Sequence, residues 1–298
     1  MKKLISLAAI VAAGALALSG CAAGSPNDPS KPATGETAAL SYDVNTDFDL
    51  ADSPTWTRAK EKGQLTVGVK FDYPGVGNKK PGQQTPEGFD IEMTRMIAAH
   101  LGFAPEEITF MEITAPNREL FLQQGKVDMV AAIYTINDER KKVVDFAGPY
   151  LEAGQDLLVA NDSDITGVAD LKDKKVCSVD GATPAQRMQA DHPEIELVTY
   201  DALSKCMIDL ESGNVDAVTH DDVMLRGFAA EYGDQFRVVG ERFSTELLGL
   251  GVPKGDDAFR NAVNDAIQAA TEDGTWKKMF EATLGDTTIV NIPEIDRY

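Results

Sequence analysis

The stretch I-Y-T-I-N-D-E-R-K-K-V-V-D-F-A-G-P-Y, residues 133–150, is the segment around which this 298-residue chain is organised. It leaves the end of an apolar run, Met129 to Ile133, and turns through Thr135 and Asn137. Asp138, Glu139 and Arg140 then open a short helical turn whose first backbone N–H groups lack partners inside the turn. Free N–H groups beside one guanidinium make a receptor for a small carboxylate. A second apolar run, Val143 to Phe146, follows, and Gly148-Pro149-Tyr150 carries the chain away. The pattern predicts a strand, an anion grip and another strand.

Working outward, strand and helix patterns alternate on both sides. Upstream, Leu65 to Val69 is β-branched and ends at Lys70, followed by a loop through Phe71 and Tyr73 and a polar excursion over 77–86. Gly88-Phe89-Asp90 opens a helix with Phe89, Met93, Met96, Ile97 and Leu101 at helical spacing. A strand over Ile108 to Ile113 and a helix over Asn117 to Gln124 lead back to the opening stretch. Downstream, strands at 155–160, 175–179, 196–199 and 215–219 alternate with helices, and a strand over Glu246 to Val252 precedes two more. L-Q-Q-G-K-V-D-M-V at 122–130 recurs as L-E-S-G-N-V-D-A-V at 210–218. That echo suits two similar lobes, with a common helix-to-strand turn as the open alternative. The alternation predicts an α/β fold with largely parallel sheets. Ligands on such sheets bind past the carboxyl ends of strands, where Lys70 and Thr135 both fall.

A formal charge of −20 excludes nucleic acid and anionic lipid surfaces as partners, but not an acidic ligand held by a few concentrated cations. Residues 1–20 have the form of an export signal: Lys2 and Lys3, an apolar run from Leu4 to Leu18, then L-S-G-C. A cysteine straight after small residues predicts a lipoprotein acylated at Cys21. Residues 21–53, rich in Pro, Gly, Ser and Ala, predict a flexible tether. Of three cysteines, Cys177 and Cys206 remain in an oxidising compartment. They are expected to form a disulfide, with two buried thiols as the alternative. Neither has the paired spacing or histidine companions that zinc requires, so no metal is expected.

Catalysis has little to stand on. His100, His192 and His220 are the only histidines, and none sits in a recognised catalytic frame. No phosphate-binding or dinucleotide fingerprint occurs, so no cofactor is expected. Binding has more. An amino acid zwitterion needs a cation with N–H donors and an anion in a dry crevice. Arg140 and the N–H groups near Thr135 supply the first, with a surface ion pair to Asp138 or Glu139 as the alternative for Arg140. Asp221 supplies the second if Asp222 is the N-cap of the next helix; a structural cap is the alternative for Asp221. Thr183, in G-A-T-P at 181–184, offers a hydroxyl and N–H groups from the second half of the chain.

G-F-D-I-E at 88–92, the L-x-x-G-K-V-D element, T-I-N-D-E-R-K-K-V-V-D-F-A-G-P-Y at 135–150 and V-D-A-V-T-H-D at 215–221 resemble the family-3 solute-binding proteins, polar amino acid receptors of ABC importers. The likeness spans about residues 60 to 284 and is nearest to the glutamate-binding lipoproteins of actinobacteria. It implies a type II two-lobe clamp: lobe 1 over 54–152 and 245–298, lobe 2 over 153–244, with hinges near Glu152-Ala153 and Ser244-Thr245. It implies that Arg140, Thr135 and Thr183 hold an α-carboxylate, that Asp221 takes the α-ammonium, and that Tyr73 covers the ligand. Ile133, where the stretch begins, is counted with them. Lys70 and Arg118 would face the ligand side chain, and two extra cations favour glutamate or aspartate over glutamine. The alternatives are Lys70 in solvent and Arg118 paired with Glu119 or Asp128. The implied partners are the ligand and a membrane permease, the chain being a monomer. A sensor, or a dehydratase using His220, are the rival functions.

Overall fold

The computed structural model describes residues 40–287 and 290–298. The expected signal segment 1–20, the acylated Cys21 and the tether as far as residue 39 lie outside the described residues. Residues 40–53 form neither helix nor strand, yet they are docked. Leu40, Tyr42, Phe48 and Leu50 pack against the core, and the Tyr42 hydroxyl donates to Glu92 at 2.8 Å. The tether expected over 21–53 therefore does not extend across 40–53. Apolar residues without helical or strand period escaped the periodicity reading.

The first helix shows how local chemistry sets the boundaries. In α1 (Pro54–Lys62) the Ser53 side chain accepts from the Trp56 N–H, Pro54 occupies the first turn, and Gly63 closes the end at φ 63°. Next come β1 (Leu65–Val69), a small hairpin of β2 (Asp72–Tyr73) and β3 (Gly77–Asn78), and α2 (Phe89–His100). β4 (Ile108–Glu112), α3 (Arg118–Gln123), β5 (Met129–Thr135), α4 (Asp138–Lys141) and β6 (Asp145–Ala153) follow. The second set runs β7 (Gln155–Ala160), β8 (Lys175–Val179), α5 (Thr183–Asp191), β9 (Glu196–Tyr200), α6 (Leu203–Glu211), β10 (Ala217–Asp221), α7 (Asp222–Tyr232) and β11 (Phe236–Val238). The chain then returns through β12 (Glu246–Val252), α8 (Asp257–Glu272) and α9 (Thr275–Thr283).

Two five-stranded sheets result, ordered β4-β1-β5-β12-β6 and β11-β7-β10-β8-β9. They are mixed rather than largely parallel. β1 pairs in parallel with β4 and β5, whereas β12 runs antiparallel to both β5 and β6. In the second sheet β8 is parallel to β9 and β10, while β7 is antiparallel to β10 and β11. The antiparallel pairings belong to the strands next to the crossovers, which leave one sheet and enter the other. Only Gly154 separates β6 from β7. β6 begins near the expected Val143–Phe146 strand but continues through Pro149 to Ala153. It is an edge strand, where a residue without an N–H costs little.

The segment after β12 completes the first lobe. Trp276 and Phe280 stack at 5.1 Å and both meet Phe89 of α2 edge-on, at 5.4 and 5.3 Å. The Trp276 indole N–H donates to the Tyr150 carbonyl at 2.9 Å. Truncating such a buried tryptophan costs about 3–5 kcal/mol. In the second lobe Cys177 of β8 and Cys206 of α6 are bridged, not free thiols. The bridge ties α6 to its sheet, worth roughly 3–4 kcal/mol in the chain-entropy view.

Candidate functional site

A small cavity of about 10 Å3 lies where the two sheets face each other. The first lobe lines it with residues past the end of β1, in the carboxyl half of β5 and at the start of α3; the second with the start of α5 and the end of β10. Seven of the eight ligand residues expected from the sequence line it: Lys70, Tyr73, Arg118, Ile133, Thr135, Thr183 and Asp221. Arg140 is the exception and stands one layer behind.

Arg118 is the most informative of the seven. Its side chain is buried, its Nε donates to the Ala115 carbonyl at 3.2 Å, and its guanidinium lies 4.2 Å above the Tyr134 ring. Neither alternative partner is available. Asp128 accepts from Arg58 at 2.7 Å and from the Thr66 N–H at 2.9 Å. Glu119 accepts from the Tyr134 hydroxyl at 2.6 Å and pairs with Arg140 at 3.3 Å. Among the described residues no carboxylate comes within ion-pair distance of Arg118. A buried cation without an acid is costly, and this one leaves a positive charge uncompensated in the cavity wall.

Lys70 does not point to solvent. Its Nζ is buried, 3.3 Å from the Asp72 carboxylate and 4.7 Å over the Tyr73 ring. Arg140 starts from a local cap: the Asn137 side chain accepts its backbone N–H at 2.9 Å and sets α4. Its Nη1 donates to the Thr135 carbonyl at 2.6 Å and to the Thr183 hydroxyl at 3.0 Å, joining the lobes behind the cavity. Burial, and secondly the charge of Arg118, pull its pKa down to about 10, so it stays protonated at neutral pH. Glu139 pairs with Lys142 at 2.6 Å, so the alternative of a surface pair to Arg140 does not occur there.

Asp221 is buried, and its Oδ1 has no hydrogen-bond partner among the described residues. It stands at the N-cap position of α7 without making a cap bond. Asp222, expected as that cap, is instead the first helical residue. Its buried carboxylate accepts the Gly154 N–H at 3.2 Å, Arg226 at 3.2 Å and Arg242 at 2.6 Å. One aspartate therefore faces the cavity while its neighbour ties down the crossover.

Two residues at or beneath the cavity were not counted with the ligand residues, His220 having been named only for the rival dehydratase. His220 lines the cavity, and its Nδ1 accepts the Asp221 N–H at 2.9 Å. That leaves the ring proton on Nε2, which is buried and unpartnered among the described residues. Strand phase could not have flagged it, because His220 and Asp221 are adjacent and a regular strand points them to opposite faces. Asp90 was visible in G-F-D but had no assigned work. It accepts the Ile133 N–H at 2.9 Å and the Tyr150 hydroxyl at 2.8 Å. Ile133 sits at φ 44°, a strained value for a β-branched residue, and Asp90 holds it there. Burial pushes the Asp90 pKa up to about 6 against these two hydrogen bonds. Tyr73 meets the His220 ring edge-on at 5.7 Å.

Comparison with known proteins adds a family. Residues 65–286 match the bacterial extracellular solute-binding proteins, family 3. The chain is 36% identical over 267 residues to the glutamate-binding protein GluB of Corynebacterium glutamicum, covering 86% of this chain and 90% of that one. It is 32% identical to the ABC transporter glutamine-binding protein GlnH of Bacillus subtilis, covering 94% and 97%. Among solved structures, the solute receptor for L-cysteine of Neisseria gonorrhoeae superposes with a TM-score of 0.75 at 30% identity, covering 80% of this chain and 99% of that one.

Proposed function

The chain belongs to the family-3 bacterial extracellular solute-binding proteins, and on that premise we propose that it captures glutamate, with aspartate as a second acidic ligand. It would deliver the ligand to the permease of an ABC importer without chemical change. The observation that carries this reading is Arg118, buried in the cavity wall with no acid of its own among the described residues, in a cavity that Lys70 also lines. A ligand with a second carboxylate supplies the missing charge; an amide does not.

The α-carboxylate would dock where Thr135, Thr183 and the amino end of α5 converge, with Arg140 behind them. The open Oδ1 of Asp221 suits an α-ammonium, and Tyr73 and Ile133 close the apolar side. Lobe 1 (54–152 and 245–298) and lobe 2 (153–244) would close on the ligand about the two crossovers. Acylation at Cys21 would hold a monomer on the outer side of the cell membrane beside its permease.

Calorimetry of the soluble part against a panel of amino acids tests the reading. Glutamate should bind tightly and glutamine at least about tenfold more weakly, or roughly 1.4 kcal/mol. Equal affinities would remove the role given to Arg118 and Lys70.

A further inference from the structure

We infer that residues 72–74 of the first lobe form a closure latch, engaging the second lobe at two places outside the ligand cavity. The inference rests on the reading of the molecule as a closing clamp. Three consecutive residues reach across the cleft. The Asp72 Oδ2 accepts the Leu203 N–H at 3.1 Å and stands 3.5 Å from the Ser204 hydroxyl, at the amino end of α6. That helix has no cap of its own, because Ala202 occupies the N-cap position and offers no side-chain acceptor. Asp72 therefore supplies from the other lobe what a local serine or aspartate usually supplies.

Pro74 makes the second contact. Its carbonyl oxygen faces Gly227 of α7 so closely that a Cβ there would lie 2.2 Å from it. Gly227 sits inside a helix, where glycine is among the poorest formers and alanine the best. The close approach of Pro74 explains a residue that α7 alone would not favour. Between the two contacts, Tyr73 carries the latch to the cavity through the His220 ring. The same Asp72 carboxylate holds Lys70 through its other oxygen, at 3.3 Å. Closure and the placement of a cavity cation are thus joined in one side chain. Asp72 and Gly227 are positioning residues in this scheme.

Gly227→Ala separates a latch from a merely structural role, because the two readings move stability in different directions. The alanine favours the helix, so the melting temperature of the protein without added ligand should hold or rise by about 2–4 °C. Affinity for glutamate and glutamine should nonetheless fall together by about tenfold or more, chiefly through faster release. Small-angle scattering should show a larger radius of gyration than wild type, both with and without ligand. Asp72→Ala should weaken binding in the same sense. Asp72→Asn, which keeps an oxygen acceptor for the Leu203 N–H, should recover wild-type compaction. Wild-type affinity and superimposable scattering for Gly227→Ala would overturn the latch, as would a fall in melting temperature that tracks the loss of binding. If wild type binds neither amino acid, the functional reading fails by itself. The latch then stands or falls on scattering without ligand, where identical curves for wild type and Gly227→Ala would overturn it.

Discussion

Arg118 and Arg140 lie in the same lobe, both buried, both over the ring of Tyr134, at 4.2 and 4.9 Å. One has an acid and the other, among the described residues, has none. Glu119 stands 3.3 Å from Arg140, whose Nη1 also bonds Thr135 and Thr183, so its charge is shared out among protein groups. Arg118 donates only to backbone carbonyls, at 3.2 and 3.4 Å. Two guanidiniums on one tyrosine thus have different work. The balanced one ties the lobes together behind the cavity, and the unbalanced one leaves its charge in the cavity wall.

The comparison can be broken most forcefully at Arg140. Arg140→Ala removes the bond between the lobes and strands Glu119, so binding of every amino acid should fall by roughly a thousandfold, about 4 kcal/mol. Calorimetry showing normal binding would mean that the back wall is dispensable. The frame beneath both arginines is tested through Asp90. A carboxyl raised from 3.8 to about 6 adds stability below its unfolded pKa and loses it as pH rises through its folded one. Asp90→Asn should therefore gain on wild type by about 2 kcal/mol between pH 4 and pH 7, measured by denaturant unfolding at each pH. A constant difference across that window would show that Asp90 is not strained by its charge.

Arg118→Ala sharpens the contrast. Glutamate affinity should drop by about thirtyfold while glutamine changes by less than about threefold, compressing the selectivity to near one. Equal losses for both ligands would make Arg118 a second wall rather than a selector. The smallest effect is the most diagnostic. Glu119→Gln leaves Arg140 without its acid and makes it resemble Arg118, so glutamate should bind about threefold more tightly. A weaker complex would mean that Glu119 positions Arg140 more than it offsets its charge.

Much of this was legible in the chain and some was not, for identifiable reasons. The α/β alternation came from local period, and residues 133–150 hold Thr135 and Arg140 within a few positions of one another. Thr135 and Arg140 could therefore be read directly, whereas the cap at Asn137 shows only in the structure. What makes Arg118 unusual is the absence of an acidic partner among the described residues, and that depends on distant residues. Arg58, 70 positions from Asp128, removes one candidate acid, and Arg140 removes the other. The Asp72 contact with Leu203 spans 131 positions and leaves no local trace. Sheet direction was misjudged because crossover strands look like any others in sequence. The docking of 40–53 was missed because its apolar residues follow no period.

The place of β12 has a consequence for how the molecule comes to exist. It lies between β5 and β6, inside the first sheet, yet more than 90 positions of chain separate it from the end of β6. As the chain emerges in order, the second lobe has all its strands in hand while the first still lacks an interior one. Long-range pairing of this kind is slow to form because its loop must close first. Until residues 246–252 arrive, β5 and β6 present unpaired edges, the state in which such a protein is most open to mispairing.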